Sequence, residues 1–302
     1  MHVRVFEVII VDLDSCRVRV FIVPLIPELL AEPDEQIAWI CNPFVVRHGI
    51  TFLYGKTTIG KSPLTWELAR CVSQGLPFLG WPTSKGRVLY LEADTPKIAV
   101  KPRLHLLPEP RGDWRMEFLV GLSLDLMEPK NRIHDLLAKG RVLWGEPDLV
   151  IWNVLRQFYR GSSIAGEIVP VIYATMRGLF PQAGHVVVGH DRKSSLDPTA
   201  APHADEDFSG SSAWWDLATV GLHLVKKSPG LILYHTKSQA SEMVAPMALD
   251  LHEDGTQIQS HHGSLHDRIE MLWKEAPKGD KAQWVAKQLG IHRATVFRLK
   301  HD

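Results

Sequence analysis

The spacing of apolar and polar positions divides the chain into three parts. At the start, residues 3–23 alternate apolar with polar side chains around a turn signal at residues 12–15, which predicts a β-hairpin. A polar link that contains Pro33 follows it. Near the end, after residue 263, the spacing becomes helical in three short segments. These segments are residues 265–275, 281–288 and 293–300.

Between these parts, short runs rich in β-branched and aromatic residues alternate with longer segments of helical spacing. The runs are residues 50–54, 87–91, 149–152, 185–189, 220–225 and 231–235. Strands that alternate with helices pair in parallel, so the pattern predicts an α/β fold with a mainly parallel twisted sheet. The proline-containing, acidic stretch 196–208 predicts an exposed loop. We therefore predict a hairpin and linker over 1–36, an α/β domain over 37–258 and a small all-α module over 264–302.

Composition restricts the class of protein only in part. Lys and Arg together number 34, as do Asp and Glu, so any nucleic-acid contact must come from a local patch. The apolar stretch 21–30 is about half a membrane span and contains two prolines, so we expect no membrane segment and a cytoplasmic protein. We expect all three cysteines to be small buried residues, and the His261-His262 pair to lie in a linker because no partner stands at zinc-ligand spacing.

The clearest chemical motif is a phosphate-binding loop. It fits the pattern G-x-x-x-x-G-K-[ST] and consists of Gly55, Lys56, Thr57, Thr58, Ile59, Gly60, Lys61 and Ser62. The glycines let the backbone N–H groups face the phosphates of ATP, Lys61 reaches the β and γ oxygens, and Ser62 binds Mg²⁺. Two alternatives stay open: a glycine turn without function, and a nucleotide-binding fold that no longer hydrolyses.

Further segments carry a resemblance to a known family. Residues 75–80 read G-L-P-F-L-G and residues 86–94 read G-R-V-L-Y-L-E-A-D. Together with the loop, they resemble the RepA-type hexameric helicase ATPases, a RecA-like family of plasmids and mobile elements. The resemblance covers roughly residues 39–254 and is most specific in its first half. It implies a RecA-like P-loop NTPase core, the cofactors ATP and Mg²⁺, DNA as a partner, and a homo-oligomer such as a hexameric ring.

The resemblance also suggests which residues take part in hydrolysis. Asp94 aligns with the acidic residue that polarises the attacking water, and Glu92 is the neighbouring candidate. The alternative for Asp94 is a cap of the next helix ahead of Pro96. The run that ends at His190 and Lys193 resembles the family's strand end with a His pair and a downstream Lys, which senses the γ-phosphate. Only the second histidine of the pair is present, as His190, and a lone histidine there is also a common polar cap.

Two further positions depart from the family pattern. Asn153 stands where an aspartate normally ends the Walker B strand and holds the Mg²⁺ water shell, so metal binding and turnover should be weakened. The alternative is that this strand only serves the core. Ser209 replaces the arginine finger that reaches a neighbouring subunit's nucleotide, and Arg192 or Lys237 are candidate substitutes.

The C-terminal module resembles the helix-turn-helix of bacterial regulators and recombinases. Gly290 stands at the predicted turn, and Val285, Leu289, Ile291, Val296 and Leu299 form an apolar stripe. In a major groove, the second helix would present His292, Arg293, Thr295, Arg298 and Lys300 to DNA. The alternative is a protein interaction or oligomerisation module.

The leading hypothesis is a DNA-associated, helicase-like ATPase motor of plasmid, phage or mobile-element replication. A second hypothesis is a DNA-binding regulator that nucleotide switches without productive turnover, because binding can shift a conformational equilibrium. A third is a scaffold in which the loop persists without function.

Overall fold

The computed structural model describes most of the chain. The described residues are 6–12, 17–23, 37–104, 115–121, 123–140, 145–160, 166–191, 212–227, 230–251, 258–260, 269, 273, 276, 279–289 and 293–301. The chain forms two compact units, Met1–Ile37 and Ala38–Asp302. In the first unit, β1 (Phe6–Asp12) pairs antiparallel with β2 (Arg17–Val23), which is the predicted hairpin.

The second unit is built on a sheet of nine strands among the residues described. The strands are β5 (Ile50–Gly55), β6 (Val88–Glu92), β7 (Met116–Val120), β8 (Leu149–Asn153), β9 (Gly184–Val188), β10 (Val220–Lys227), β11 (Gly230–Ser238), β12 (Met247–Leu251) and β13 (Ile258–Ser260). Their order is β13-β12-β11-β10-β5-β9-β8-β6-β7. A separate short pair, β3 (Trp39–Cys41) and β4 (Val45–Val46), precedes the sheet.

Strand direction follows the length of the connections. The six strands from β10 to β7 in the sheet order are parallel, which confirms the mainly parallel α/β prediction. The expectation of parallel pairing is wrong for β10 and β11, which form an antiparallel hairpin. Only two residues separate these strands, whereas a parallel crossover needs a dozen or more. Strands β12 and β13 continue the antiparallel side.

The described helices lie between and after the strands. They are α1 (Lys61–Gln74), α2 (Lys97–Leu104), α3 (Lys130–Gly140), α4 (Ile168–Leu179), α5 (Ala213–Asp216), α6 (Lys281–Leu289) and α7 (Arg293–His301), with a 3₁₀ turn at Leu155–Phe158. Within the described residues, none of the helices combines the length and apolar character that a bilayer crossing requires. Cys41 and Cys71 are buried as predicted, whereas Cys16 and residues 196–208 lie outside the described residues.

Strands β5, β6, β8 and β9 are buried along their whole length, as is typical of parallel strands that are covered on both faces. Alternate residues of β5 divide between two cores: Leu53 packs in the cluster that contains α1, and Phe52 packs in the cluster that contains α4. The predicted helical stripe of α1, Leu64, Leu68 and Val72, is buried in the first of these clusters. This packing fixes α1 directly behind the loop that follows β5.

The C-terminal helices pack on the antiparallel side of the sheet. Ile232 and Tyr234 of β11 share one apolar cluster with Val285 of α6 and Val296 of α7. These two valines belong to the predicted stripe and are fully buried. Both helices therefore belong to the same compact unit as the sheet. The domain boundary at residue 264 stays a prediction.

Candidate nucleotide site

The loop between β5 and α1 depends on its glycines. Gly60 has a φ of 112°, in the left-handed region that strains other residues, and it is the N-cap of α1. A Cβ on Gly55 would lie 2.5 Å from the carbonyl oxygen of Leu224 on β10, so only glycine fits. Within the described residues, no side chain caps the first turn of α1, which leaves its N–H groups for an anion.

The side chain of Lys61, the first residue of α1, reaches back into this loop. Its side chain is buried, and Nζ donates to the carbonyl oxygens of Gly55 and Lys56 at 2.7 Å each. Burial lowers the pKa of Lys61 to about 8, while the nearby Asp191 carboxylate opposes this shift. The loop therefore holds a poorly solvated ammonium group, which gains most from the approach of an anion.

The end of β9 lies beside Lys61. His190 Nδ1 lies 3.4 Å from Lys61 Nζ, so the structure brings these two predicted residues together. Burial and the Lys61 ammonium lower the pKa of His190, while Asp94 and Asp191 oppose that shift. Asp191 Oδ2 in turn lies 3.3 Å from Nε2 of the buried His223 on β10. Sequence patterns did not single out Asp191 and His223, although Asp191 directly follows the predicted histidine.

A second polar group forms where β6 and β8 end side by side. Glu92 and Asn153 are register partners at the ends of these strands. Asn153 Nδ2 donates to Glu92 Oε2 at 2.6 Å and to Ser62 Oγ at 3.1 Å. Glu92 Oε1 accepts the backbone N–H groups of Asp94 and Thr95 at 3.3 and 3.2 Å. Three predicted site residues, Ser62, Glu92 and Asn153, are therefore in one hydrogen-bonded group.

The two acidic candidates differ in exposure. Glu92 is fully buried, and burial raises the pKa of its carboxyl while the hydrogen bonds from Asn153 and the backbone oppose the shift. Asp94 is exposed, and its Oδ1 accepts a hydrogen bond from Gln157 Nε2 at 3.1 Å. Gln157 belongs to the 3₁₀ turn after β8 and was not singled out in the sequence. Of the two candidates, only Asp94 presents its carboxylate to solvent.

The residues present fit a magnesium ion that is bound together with phosphates. Ser62 is half-buried, which leaves its hydroxyl within reach, and Asn153 Oδ1 is buried with no hydrogen-bond partner in the described part of the chain. Among the described residues, no group of three His, Cys, Asp or Glu side chains could hold a metal ion alone. Mg²⁺ usually keeps several waters and is held by one or two carboxylates together with substrate phosphates, whereas the protein oxygens here belong to a hydroxyl and an amide.

The predicted DNA-binding residues are described in part. Arg293 on α7 is exposed, forms an ion pair with Asp280 at 3.0 Å and lies over the Phe297 ring at 5.1 Å. Lys300 Nζ lies 5.9 Å from the centre of the Trp273 ring. His292 and the side chains of Thr295 and Arg298 lie outside the described residues. An exposed ion pair such as Arg293–Asp280 contributes little, so Arg293 can exchange partners.

The remaining predicted residues lie outside the described residues or are bound elsewhere. Residues outside the described part of the chain are Arg192, Lys193 and Ser209. Lys237 Nζ donates to the carbonyl oxygens of Trp215 and Asp216 and lies 4.7 Å from the centre of the Trp215 ring. In this arrangement the candidate substitute for the arginine finger is bound within its own chain.

A glycine-dependent loop between a parallel strand and a helix, with a buried lysine side chain that reaches back into it, defines a P-loop nucleoside-triphosphate-binding protein. More particularly, residues 22–178, which are more than half of the chain, match the AAA_25 family, described as an AAA domain, and the chain belongs to this family. No curated protein matches the chain.

One solved structure supports the fold, and two others are similar at a lower level. The chain is similar to the ATPase domain of a helicase, with 10% identity, a TM-score of 0.53, and coverage of 78% of this chain and 96% of that one. A KaiC-like protein from Pyrococcus horikoshii OT3 gives 8% identity, a TM-score of 0.48 and coverage of 76% and 100%. The RadB recombinase gives 13% identity, a TM-score of 0.45 and coverage of 72% and 92%. The first of these, with the observed sheet, confirms the predicted RecA-like P-loop NTPase fold.

Proposed function

We propose that this protein binds ATP with Mg²⁺ and hydrolyses it slowly. The observation that carries the proposal is the contact of the Lys61 ammonium group with the carbonyl groups of the loop between β5 and α1, beside His190. The phosphates would accept hydrogen bonds from the loop N–H groups and from Lys61 Nζ, which would exchange its two carbonyl partners for phosphate oxygens. Ser62 and Asn153 would hold the cation, whose chemistry is to neutralise phosphate charge.

In this proposal, Asp94 is the general base. Its carboxylate is exposed beyond the end of β6, and the hydrogen bond from Gln157 restrains its orientation. The electrostatic effect of Asp94 on His190 and the closeness of His190 to Lys61 indicate that these groups share one site. A base in this position would accept the proton of the attacking water. Glu92, which is buried behind Asn153, does not present its carboxylate in this way.

Slow turnover is expected because no arginine is offered at the position of the family's finger. Ser209 is neutral, and Lys237 is bonded to two carbonyl groups of its own chain. An arginine finger in related NTPases contributes roughly 10³ to 10⁵ in rate. A homo-oligomer such as a hexameric ring belongs to the proposal through the family resemblance, and each neighbouring subunit would present the same neutral Ser209 at the finger position.

We further propose that the protein is cytoplasmic and that DNA is its partner. In this proposal the protein acts as a helicase-like motor of plasmid, phage or mobile-element replication. The support is the predicted helix-turn-helix over α6 and α7, with exposed Arg293 and half-buried Lys300. The second candidate, a nucleotide-switched DNA-binding regulator, is favoured by one specific observation. The C-terminal helices share an apolar cluster with β11, two strands from the β5 strand that carries the loop.

The test is ATP binding and hydrolysis by purified protein beside Lys61→Ala, with and without single- and double-stranded DNA. Lys85→Ala removes an exposed lysine three residues before β6 and serves as the matched control. Turnover that DNA stimulates and Lys61→Ala abolishes would support the motor. ATP binding without turnover, together with a change in DNA affinity, would favour the regulator. Equal ATP binding by wild type and Lys61→Ala would refute the proposed site.

A further inference from the structure

The buried carboxylate of Glu92 lies in an unusual setting. It is fully buried at the end of β6, yet its described hydrogen-bond partners are neutral donors: the Asn153 amide and the backbone N–H groups of Asp94 and Thr95. A buried carboxylate without a nearby cation is costly, even when hydrogen bonds satisfy its oxygens. A positive charge close to this group would therefore stabilise the site.

The geometry also shows where such a charge belongs. Asn153 Nδ2 bridges Glu92 Oε2 and Ser62 Oγ at 2.6 and 3.1 Å, so one amide group separates the carboxylate from the hydroxyl proposed to bind the cation. The register places Glu92 directly beside Asn153 on the neighbouring parallel strand. Position 153 on β8, where the family has an aspartate, is therefore occupied by Asn153 and has the Glu92 carboxylate next to it on β6.

We infer that Glu92, acting through Asn153, supplies the negative charge of the divalent-cation site at Ser62, so that the carboxylate of this site has moved from β8 to β6. This inference rests on the proposed binding of ATP and a divalent cation. Glu92 is then a positioning residue: it orients the Asn153 amide and offsets the charge of the cation without touching the phosphates. The neutral Asn153 no longer implies a site without a carboxylate.

The test is a charge swap between the two strands. The probe is Mn²⁺ with ADP, and the quantity measured is the gain in affinity for a fluorescent ADP analogue between EDTA and saturating Mn²⁺. Direct Mn²⁺ binding is followed by electron paramagnetic resonance. Glu92→Gln keeps an oxygen acceptor for Asn153 and removes the charge. The double variant Glu92→Gln/Asn153→Asp returns one carboxylate to the strand ends, now on β8.

We expect Glu92→Gln to weaken Mn²⁺ binding by about 10- to 100-fold, the range seen when outer-shell partners of metal ligands are removed. ADP affinity in EDTA should stay within about threefold of wild type, because the loop and Lys61 are unchanged. The double variant should recover most of the Mn²⁺ affinity. A purely structural role for Glu92 predicts no such recovery, because the swap moves the charge and restores no packing.

The outcomes separate this inference from the proposed function. If wild type binds no ADP with or without Mn²⁺, the proposed nucleotide site fails. If wild type shows the Mn²⁺-dependent gain and Glu92→Gln shows the same gain, the inference about Glu92 is overturned. If Glu92→Gln does not fold, the double variant decides: Mn²⁺ affinity close to wild type supports the inference, and a loss as large as about 100-fold overturns it.

Discussion

The buried His185 should make the fold sensitive to mild acid. This histidine lies on β9 between β5 and β8 and is fully buried. Its Nδ1 accepts the indole N–H of Trp152 at 3.2 Å, so the neutral ring carries its proton on Nε2. Protonation would place a second N–H at Nδ1, facing the Trp152 donor, and would put a charge into the core. The folded protein therefore favours the neutral ring.

The size of the effect follows from the pKa values of the two states. Burial lowers the pKa of His185 from 6.5 to about 4 in the folded protein. As the pH falls, His185 is protonated first in the unfolded chain. Its contribution to the free energy of unfolding is therefore fully present above pH 6.5 and decreases between pH 6.5 and pH 4. Each pKa unit corresponds to about 1.4 kcal/mol. Between about pH 7.5 and pH 5, the free energy of unfolding should fall by about 2 kcal/mol from this residue alone.

Urea unfolding at about pH 7.5 and pH 5, followed by tryptophan fluorescence, measures this loss. His185→Gln keeps an acceptor for the Trp152 indole but does not titrate, so the variant should lose about 2 kcal/mol less than wild type over this interval. His134→Gln removes an exposed imidazole on α3 and should match wild type. An identical pH dependence in wild type and His185→Gln would refute the reasoning, because His185 would then not distinguish the folded from the unfolded chain.

Three further predictions concern the loop and the base. Because burial lowers the pKa of Lys61 to about 8, affinity for a fluorescent ATP analogue should fall above about pH 8, by up to about tenfold per pH unit. An affinity that stays constant up to about pH 9.5 would contradict this prediction. Gly55→Ala should lower the free energy of unfolding by about 1–3 kcal/mol in urea, because the new Cβ would lie 2.5 Å from the Leu224 carbonyl oxygen. Asp94→Asn should keep nucleotide affinity and reduce phosphate release by about 10²- to 10⁴-fold, and unchanged turnover would exclude Asp94 as the base.

Local patterns predicted the parts of the fold that local forces determine. Strand β5 and helix α1 could be predicted because an apolar run buried on both faces meets a glycine-rich turn and a helical stripe. The antiparallel direction of β11 was missed because an apolar run has the same appearance in either direction, and only the two-residue connection reveals it. The weaker patterns of β7, β12 and β13 were not singled out.

The site shows the same limit. The sequence identified Ser62, Glu92 and Asn153 separately, as a metal ligand, an acidic candidate and a departure from the family pattern. Their hydrogen-bonded group depends on the placement of β6 beside β8, and chain order does not determine that neighbour. Burial of Glu92 was equally hidden, because Glu92 ends β6 and Asp94 follows only two positions later. Side-chain chemistry could be predicted from sequence, whereas the choice between these carboxylates required the tertiary structure.

A physical route connects the loop with the C-terminal helices. Gly55 is the register partner of Leu224 on β10, and the absence of a side chain lets the two backbones approach directly. Strand β10 pairs along its length with β11, whose Ile232 and Tyr234 pack against the buried side chains of α6 and α7. A displacement of the loop would therefore reach the predicted DNA-binding helices through two strand pairings. Contact alone does not produce coupling, which also requires that the β10–β11 hairpin has two arrangements that nucleotide and DNA stabilise unequally. A motor and a switched regulator both need this property, and they differ in whether hydrolysis at Asp94 resets it.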